Sequence, residues 1–145
     1  MSDLHVVFQV AGAHYVVPAN EVVQLESFQG ATPVPGAPDF VEGLVQIRGA
    51  VVPVINLRRR FGKEPIEPSL DSRVIVVRGG SRTVGLLADR SREVVQLAPD
   101  ELRPPPDIIQ QQASGFVRAV AGRGDRLLML IDFDKVVGEG EIHGE

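Results

Sequence analysis

Apolar residues in this chain fall in short, β-branched runs that glycine or proline interrupts every few positions, and none continues at helical spacing beyond a few turns. A chain patterned this way buries its side chains between strands, which confines it to an all-β barrel or sandwich. Val6, Phe8 and Val10 alternate with Val7 and Gln9; the alternation breaks at Gly12, resumes from His14 to Val17 and ends at Pro18, as in a hairpin. Leu44 to Ile47 and Val51 to Ile55 flank Arg48-Gly49-Ala50, where Gly49 supplies the backbone freedom of a tight connection. Arg73 to Arg78 and Thr83 to Ala88 enclose Gly79-Gly80-Ser81, Glu93 to Leu97 reads as a further strand, and Phe116 to Ala121 pairs with Arg126 to Ile131 around Gly122-Arg123-Gly124-Asp125. The total is about nine or ten short strands. Hydrophobic residues make up 43% of the 145 but aromatics only 5%, so aliphatic side chains must fill the interior. Two small barrels that share a core account for both strand number and length, although periodicity alone leaves a single sandwich open.

The connections are short or proline-rich. Asn20 is placed to cap a helical turn through Glu21, Val22, Val23 and Leu25, because its side chain accepts a hydrogen bond from a free backbone amide. Thr32 to Phe40 holds Pro33, Pro35 and Pro38 and reads as an extended, ordered loop. Asn56 caps a turn from Leu57 to Phe61 that Gly62 stops, Lys63 to Asp71 is a polar linker, Pro99 to Pro106 is irregular, and Asp132 caps a last turn to Val137. Residues 1–137 read as one domain, of two small barrels or a single sandwich, with a polar tail at 138–145.

Most catalytic chemistry is absent from this composition. There are no cysteines, which excludes disulfides and thiolate sites, and only three histidines, His5, His14 and His143. His5 and His14 could meet across the first hairpin but lack a third metal ligand. Asp132 is better explained as a cap than as a cation ligand beside Asp134, and the stretch around Asp89, Arg90, Ser91, Arg92 and Glu93 reads as a mixed-sign solvated loop. Gly79-Gly80 and Gly122 with Gly124 lack the strand-to-helix setting of a phosphate loop. Pro104-Pro105-Pro106 reads as a stiff connector between strands, with recognition by a proline-reading module as the alternative. Arg58, Arg59, Arg60 and Lys63 make the one compact basic cluster; it has no interleaved aromatics for stacking bases, and the net charge of −4 opposes a nucleic-acid partner. An RNA-binding barrel using that cluster stays open as a second reading. Met1 to His5 has no signal-peptide character and no apolar run approaches the ~20 residues of a membrane span, so the expectation is a cytoplasmic protein without direct membrane insertion.

What stands out positively is surface contact. Arg48 is a cation on a stiff turn in an apolar hairpin: either a solvated turn residue, as most turn arginines are, or an anchor, because a guanidinium held this way loses little freedom when a partner docks. The chain resembles the CheW-type coupling proteins of bacterial chemosensory systems from about Val6 to Val137. The residues that carry this are Phe8, Thr32-Pro33-Val34-Pro35, Pro38-Asp39-Phe40-Val41-Glu42-Gly43, Ile47-Arg48-Gly49, Val52-Pro53-Val54-Ile55, Leu57-Arg58 with Phe61-Gly62, Val74 to Val77, Gly85 to Asp89, and Leu102-Arg103-Pro104. The resemblance implies two intertwined, five-stranded SH3-like barrels with short helical turns and a non-catalytic adaptor without cofactor or metal. Its partners would be the cytoplasmic tip of a methyl-accepting chemoreceptor and the regulatory domain of a CheA-type histidine autokinase, and it would be recruited to membrane-associated receptor arrays. Receptor-facing positions carried over by the resemblance are Val22, Gly43, Arg48, Val74 and Val94: Arg48 as the polar anchor, the valines as a groove for a helical hairpin, and Gly43 where a larger side chain obstructs approach. No kinase-facing residues are assigned. Gln24, Gln46 and Asn56 depart from the family's usual Glu, Asn and Asp, which bears on partner identity. A coupling-like protein that binds the kinase alone, as competitor or array spacer, is the rival within the fold, and unpaired barrel edges leave weak self-association open.

Overall fold

In the computed structural model, which describes residues 3–112 and 115–138, strand β1 (Asp3–Val10) shows how the sequence pattern becomes architecture. Val6, Phe8 and Val10 point to one side and Val7 to the other, and all four are buried. A strand buried on both faces needs apolar material on each side. Here Val6, Phe8 and Val10 join a central cluster, while Val7 joins Val16, Val95, Leu97, Ala121, Leu128 and Leu130 in a second one.

The remaining strands are β2 (Ala13–Pro18), β3 (Val22–Ser27), β4 (Val41–Ile47), β5 (Ala50–Asn56), β6 (Arg73–Gly79), β7 (Arg82–Ala88), β8 (Arg90–Leu97), β9 (Val117–Arg123) and β10 (Arg126–Ile131). They form two five-stranded sheets of order β8-β1-β2-β10-β9 and β3-β6-β7-β5-β4. The second order becomes the first when β3 to β7 are replaced, in sequence, by β8, β9, β10, β1 and β2. Each sheet has one parallel pair, β2 with β10 and β5 with β7. The chain therefore begins one SH3-like barrel, builds the whole of the other, and returns to finish the first. Each barrel has its own interior, and the central cluster lies between them, drawing Phe8, Tyr15 and Val17 from one sheet and Ile55, Ile75 and Leu86 from the other.

Short turns follow the caps. Helix α1 (Leu57–Arg60) starts at Asn56, whose side chain accepts from the Arg59 amide at 3.2 Å, and α3 (Phe133–Val137) starts at Asp132, which accepts from the Lys135 amide at 3.3 Å. Asn56 and Asp132 are equivalent in the two barrels: each donates its amide to a phenylalanine carbonyl, Phe40 at 2.8 Å and Phe116 at 2.7 Å.

The sequence-based expectation fails at Asn20. The 3-10 turn there is only Ala19–Glu21, its N-cap is Pro18 with no side-chain bond, and Val22 opens β3. Pairing with β6, Leu25 opposite Ile75 and Val22 opposite Val77, outcompetes a marginal isolated turn. Strand β8 also begins earlier than the valines imply, at Arg90, and α2 (Asp107–Gln112) occupies a stretch in which no helix was foreseen. Of the polar tail, residues 139–145 lie outside the described residues.

Candidate partner-binding site

The β4–β5 hairpin closes through two residues with positive φ, Arg48 at 51° and Gly49 at 81°, as a type I′ turn requires. Glycine takes that conformation freely; arginine at the first position costs some strain, which the paired strands Leu44 to Ile47 and Ala50 to Pro53 hold in place. Arg48 is exposed and makes no ion pair with any described residue. Its guanidinium therefore projects from a rigid corner with its donors available.

The other four positions differ in what they offer. Val94 is 54% exposed on β8, opposite Val6 of β1, and Val22 is half-buried at the start of β3, opposite Val77. Val74 is 1% exposed and packs with Val52, Val54, Val76 and Leu87 inside the second barrel. Gly43 is buried at a bulge in β4 with φ 146°, and a Cβ there would lie 2.3 Å from the Thr32 carbonyl oxygen. The loop residue Thr32 crosses at that point to exchange hydrogen bonds of 2.9 and 2.8 Å with Leu44. So the space that Gly43 keeps clear is filled by the chain itself. Gly43, Val74 and Val22 lie in strands of the second sheet, Arg48 in the turn that joins β4 to β5, and Val94 in the first sheet.

The basic cluster does not exist as a patch. Arg58 binds Asp89 through Nε at 3.0 and 3.1 Å and Nη2 at 2.9 Å, and its Nη1 donates to the Glu64 carbonyl at 2.8 Å. Arg60 donates to the carbonyls of Val136 at 2.7 Å and Lys135 at 3.0 Å at the end of α3, and its guanidinium carbon lies 3.9 Å from the Phe40 ring centroid and 4.9 Å from that of Phe116. Only Arg59 and Lys63 face solvent. A surface able to track a phosphate backbone is thereby reduced to two cations.

Nor is the Asp89 region a solvated loop. Asp89 sits where the chain passes from β7 in one barrel to β8 in the other; its amide donates to the Gln9 carbonyl at 2.9 Å, and its carboxylate accepts from the Ala11 amide at 2.8 Å as well as from Arg58. That hydrogen bonding raises the Arg58 pKa above its ordinary value. Asp71 accepts from both Arg90 and Arg92, and its pKa is lowered, chiefly by the Arg90 bond. An aromatic row joins the barrels from Phe8 through Tyr15 and Phe61 to Phe116, with centroid spacings of 5.8, 5.0 and 5.5 Å; burial raises the Tyr15 pKa.

The two strand histidines do not meet. His14 pairs with Gln9 and His5 with Pro18, so about four residue steps, roughly 13 Å, separate them along the hairpin. His5 is buried and its Nδ1 bonds the Asp3 carbonyl at 3.0 Å. Among the described residues no three His, Asp or Glu side chains converge as metal ligands.

A family model described as CheW-like domain matches residues 4–141. The chain belongs to the CheW-like domain family. It is 31% identical over 131 residues to the chemotaxis protein CheW of Rhizobium meliloti, covering 90% of this chain and 84% of that one, and 29% identical to the CheW of Bacillus subtilis, covering 91% and 85%. The protein FrzA of Myxococcus xanthus is 27% identical, with 90% and 82% covered. Among solved structures, the scaffolding protein TtCheW from Thermoanaerobacter tengcongensis matches with a TM-score of 0.87 at 30% identity, covering 100% of this chain and 97% of that one. Within this CheW-like chain, Asn56 does what an aspartate would do as a cap and adds a donor, reaching Glu42 at 2.9 Å. Sequence reasoning missed Asp89 and Arg60 as joints between the barrels. The signal for Asp89 was its place at the end of an apolar strand, with a cation on either side of Ser91 following it; Arg60 gave none, since the carbonyls and rings it meets include main-chain groups of α3 some 75 residues along the chain.

Proposed function

We propose that this CheW-like protein is a non-catalytic chemotaxis adaptor that couples chemoreceptors to a CheA-type histidine kinase, working in the cytoplasm at receptor arrays. The observation that carries the reading, beside family membership, is Arg48: an exposed cation without an ionic partner among the described residues, held on a strained two-residue turn. Rigid presentation of a charge lowers the ordering cost of docking and fixes register. In this reading Arg48 anchors the receptor tip, Val94 and Val22 give apolar contact to its helical hairpin, and Val74 and Gly43 act from beneath, shaping the surface of the second barrel. Coupling requires unequal affinity for the receptor's signalling states, since equal affinity transmits nothing.

Binding of the purified receptor tip and of the kinase regulatory domain, each titrated separately against wild type and Arg48→Glu, tests this. The expected result is receptor affinity reduced about tenfold or more with kinase affinity unchanged. Binding of the kinase with indifference to the receptor in the wild type selects the competitor or spacer role instead. Engagement of Arg58 and Arg60 within the chain removes the support for the RNA-binding alternative.

A further inference from the structure

The two barrels share a topology but not a seam. A sheet of this order closes where its edge strands meet, β8 with β9 in the first barrel and β3 with β4 in the second. Aligning the hairpin turns between Val10 and Ala13 and between Gly79 and Arg82, with the strand registers that follow from them, makes Gln24 equivalent to Glu93 and Glu26 to Val95. The β4–β5 and β9–β10 turns make Ile47 equivalent to Arg123 and Ala50 to Arg126. The two edge bridges, Thr32 with Leu44 and Arg103 with Val120, make Ala31 equivalent to Leu102.

In the first barrel the seam is sealed. Leu102 packs onto the barrel interior, Arg126 bonds both oxygens of Glu93 at 2.7 Å, and Arg123 reaches the Gln96 carbonyl at 2.6 Å and the Glu101 carboxylate at 3.0 Å. In the second barrel each of these is replaced: Ala31 stands for Leu102, Gln24 and Ala50 for Glu93 and Arg126, Gly30 and Ile47 for Glu101 and Arg123. The result is an open cleft of about 590 Å³ between β3 and β4, with Phe28, Val45, Ile47 and Val74 in its lining. Glu26 stands where the first barrel has the buried Val95; it is the one ionisable residue lining the cleft and has no ionic partner among the described residues.

We propose that this seam is a docking mouth for an extended segment of a partner protein that presents one leucine-sized aliphatic side chain to the cleft and sets a Lys or Arg against Glu26. The molecule carries the template for this occupant. In the first barrel an extended segment delivers Leu102, its neighbour Arg103 exchanging hydrogen bonds of 2.9 and 2.8 Å with Val120. In the second, the same bridge is made by Thr32 but brings only a methyl group, from Ala31, to the opening. An extended segment suits the edge of β3, which pairs with β6 alone among the described strands, and the part of β4 beyond its Thr32 bridge at Leu44, and charge complementarity with Glu26 selects a basic neighbour.

The choice of protein probes rests on the adaptor reading; the chemistry of the seam does not. Wild type, Ala31→Leu, Glu26→Gln and the pair Gln24→Glu with Ala50→Arg, which rebuilds the first barrel's ion pair, are titrated with the kinase regulatory domain, with the receptor tip, and with a short synthetic peptide alternating leucine and lysine. The peptide should shift amide resonances of β3 and β4 in the wild type and not in Ala31→Leu, and Glu26→Gln should weaken its binding severalfold. Both sealing variants should lower the affinity of the kinase regulatory domain about tenfold while melting no lower than wild type. Peptide titration without shifts at the seam, or sealing variants that bind the kinase regulatory domain as tightly as the wild type does, overturns the proposal. If neither protein probe binds the wild type, the adaptor reading fails, and the peptide titration still decides the seam.

Discussion

Gly43→Ala should destabilise the fold before it affects any partner. The added Cβ would lie 2.3 Å from the Thr32 carbonyl oxygen and 2.7 Å from its carbon, both backbone atoms that cannot rotate away. Relief requires the loop to lift and give up the two Thr32–Leu44 hydrogen bonds, worth about 1 kcal/mol each. Holding alanine at a φ of 146° adds about 1–2 kcal/mol. The sum is about 3 kcal/mol, which for a domain of this size lowers Tm by roughly 10 °C. Urea unfolding at constant m-value measures it, with two glycines as internal controls. Gly122→Ala meets nothing within 4 Å and needs no left-handed φ, so it should be neutral; Gly36→Ala also has open space but a φ of 83°, and should cost about 1 kcal/mol. A Gly43→Ala protein as stable as wild type that nevertheless loses receptor binding would refute the reasoning, because the glycine would then be keeping space for the partner and not for Thr32.

Three further outcomes follow from the geometry. Arg58 and Asp89 have side chains 18% and 24% exposed, and a double-mutant cycle with alanine at each should give a coupling of about 1–2 kcal/mol; a value near zero would mean that the Ala11 and Gln9 bonds hold Asp89 alone. Leu57→Ala, at a fully buried position in the central cluster, should cost about 3 kcal/mol by chemical denaturation. On acidification, Glu93 is held below its ordinary value of 4.5 mainly by the Arg126 hydrogen bond, and Glu101 by the Ala98 amide and then Arg123. Because the folded pKa lies below the unfolded one, this contribution is present above about pH 4.5 and lost as pH falls through the folded value; Arg126→Gln should flatten the fall in urea midpoint, and an unchanged slope would contradict it.

The strands were legible because alternation and β-branching survive in any context, and the two good caps, Asn56 and Asp132, announce their turns by side-chain chemistry that acts within three residues. Val22 to Ser27 was not, since a polar–apolar hexamer after Asn20 satisfies a helix cap and an edge strand equally, and β6 decides between them from some fifty residues away. The barrel-crossing arginines were illegible for the same reason. Arg58 and Arg60 are two positions apart and look like one charged face, yet each is consumed by a partner 31 or 76 residues distant. Of the candidate site, Arg48 could be read as an exposed corner from its turn alone, whereas the buried state of Val74 and the Thr32 contact of Gly43 depend on how the second barrel closes.

The adaptor claim is tested most directly by reconstituting kinase autophosphorylation from receptor-containing membranes, the histidine kinase and this protein. The account predicts that receptor-dependent stimulation appears on adding wild type and is reduced about tenfold or more with Arg48→Glu, while the variant's Tm and its binding to the kinase regulatory domain stay unchanged. Stimulation by Arg48→Glu equal to wild type, or none by wild type under conditions where both partners bind, would contradict it.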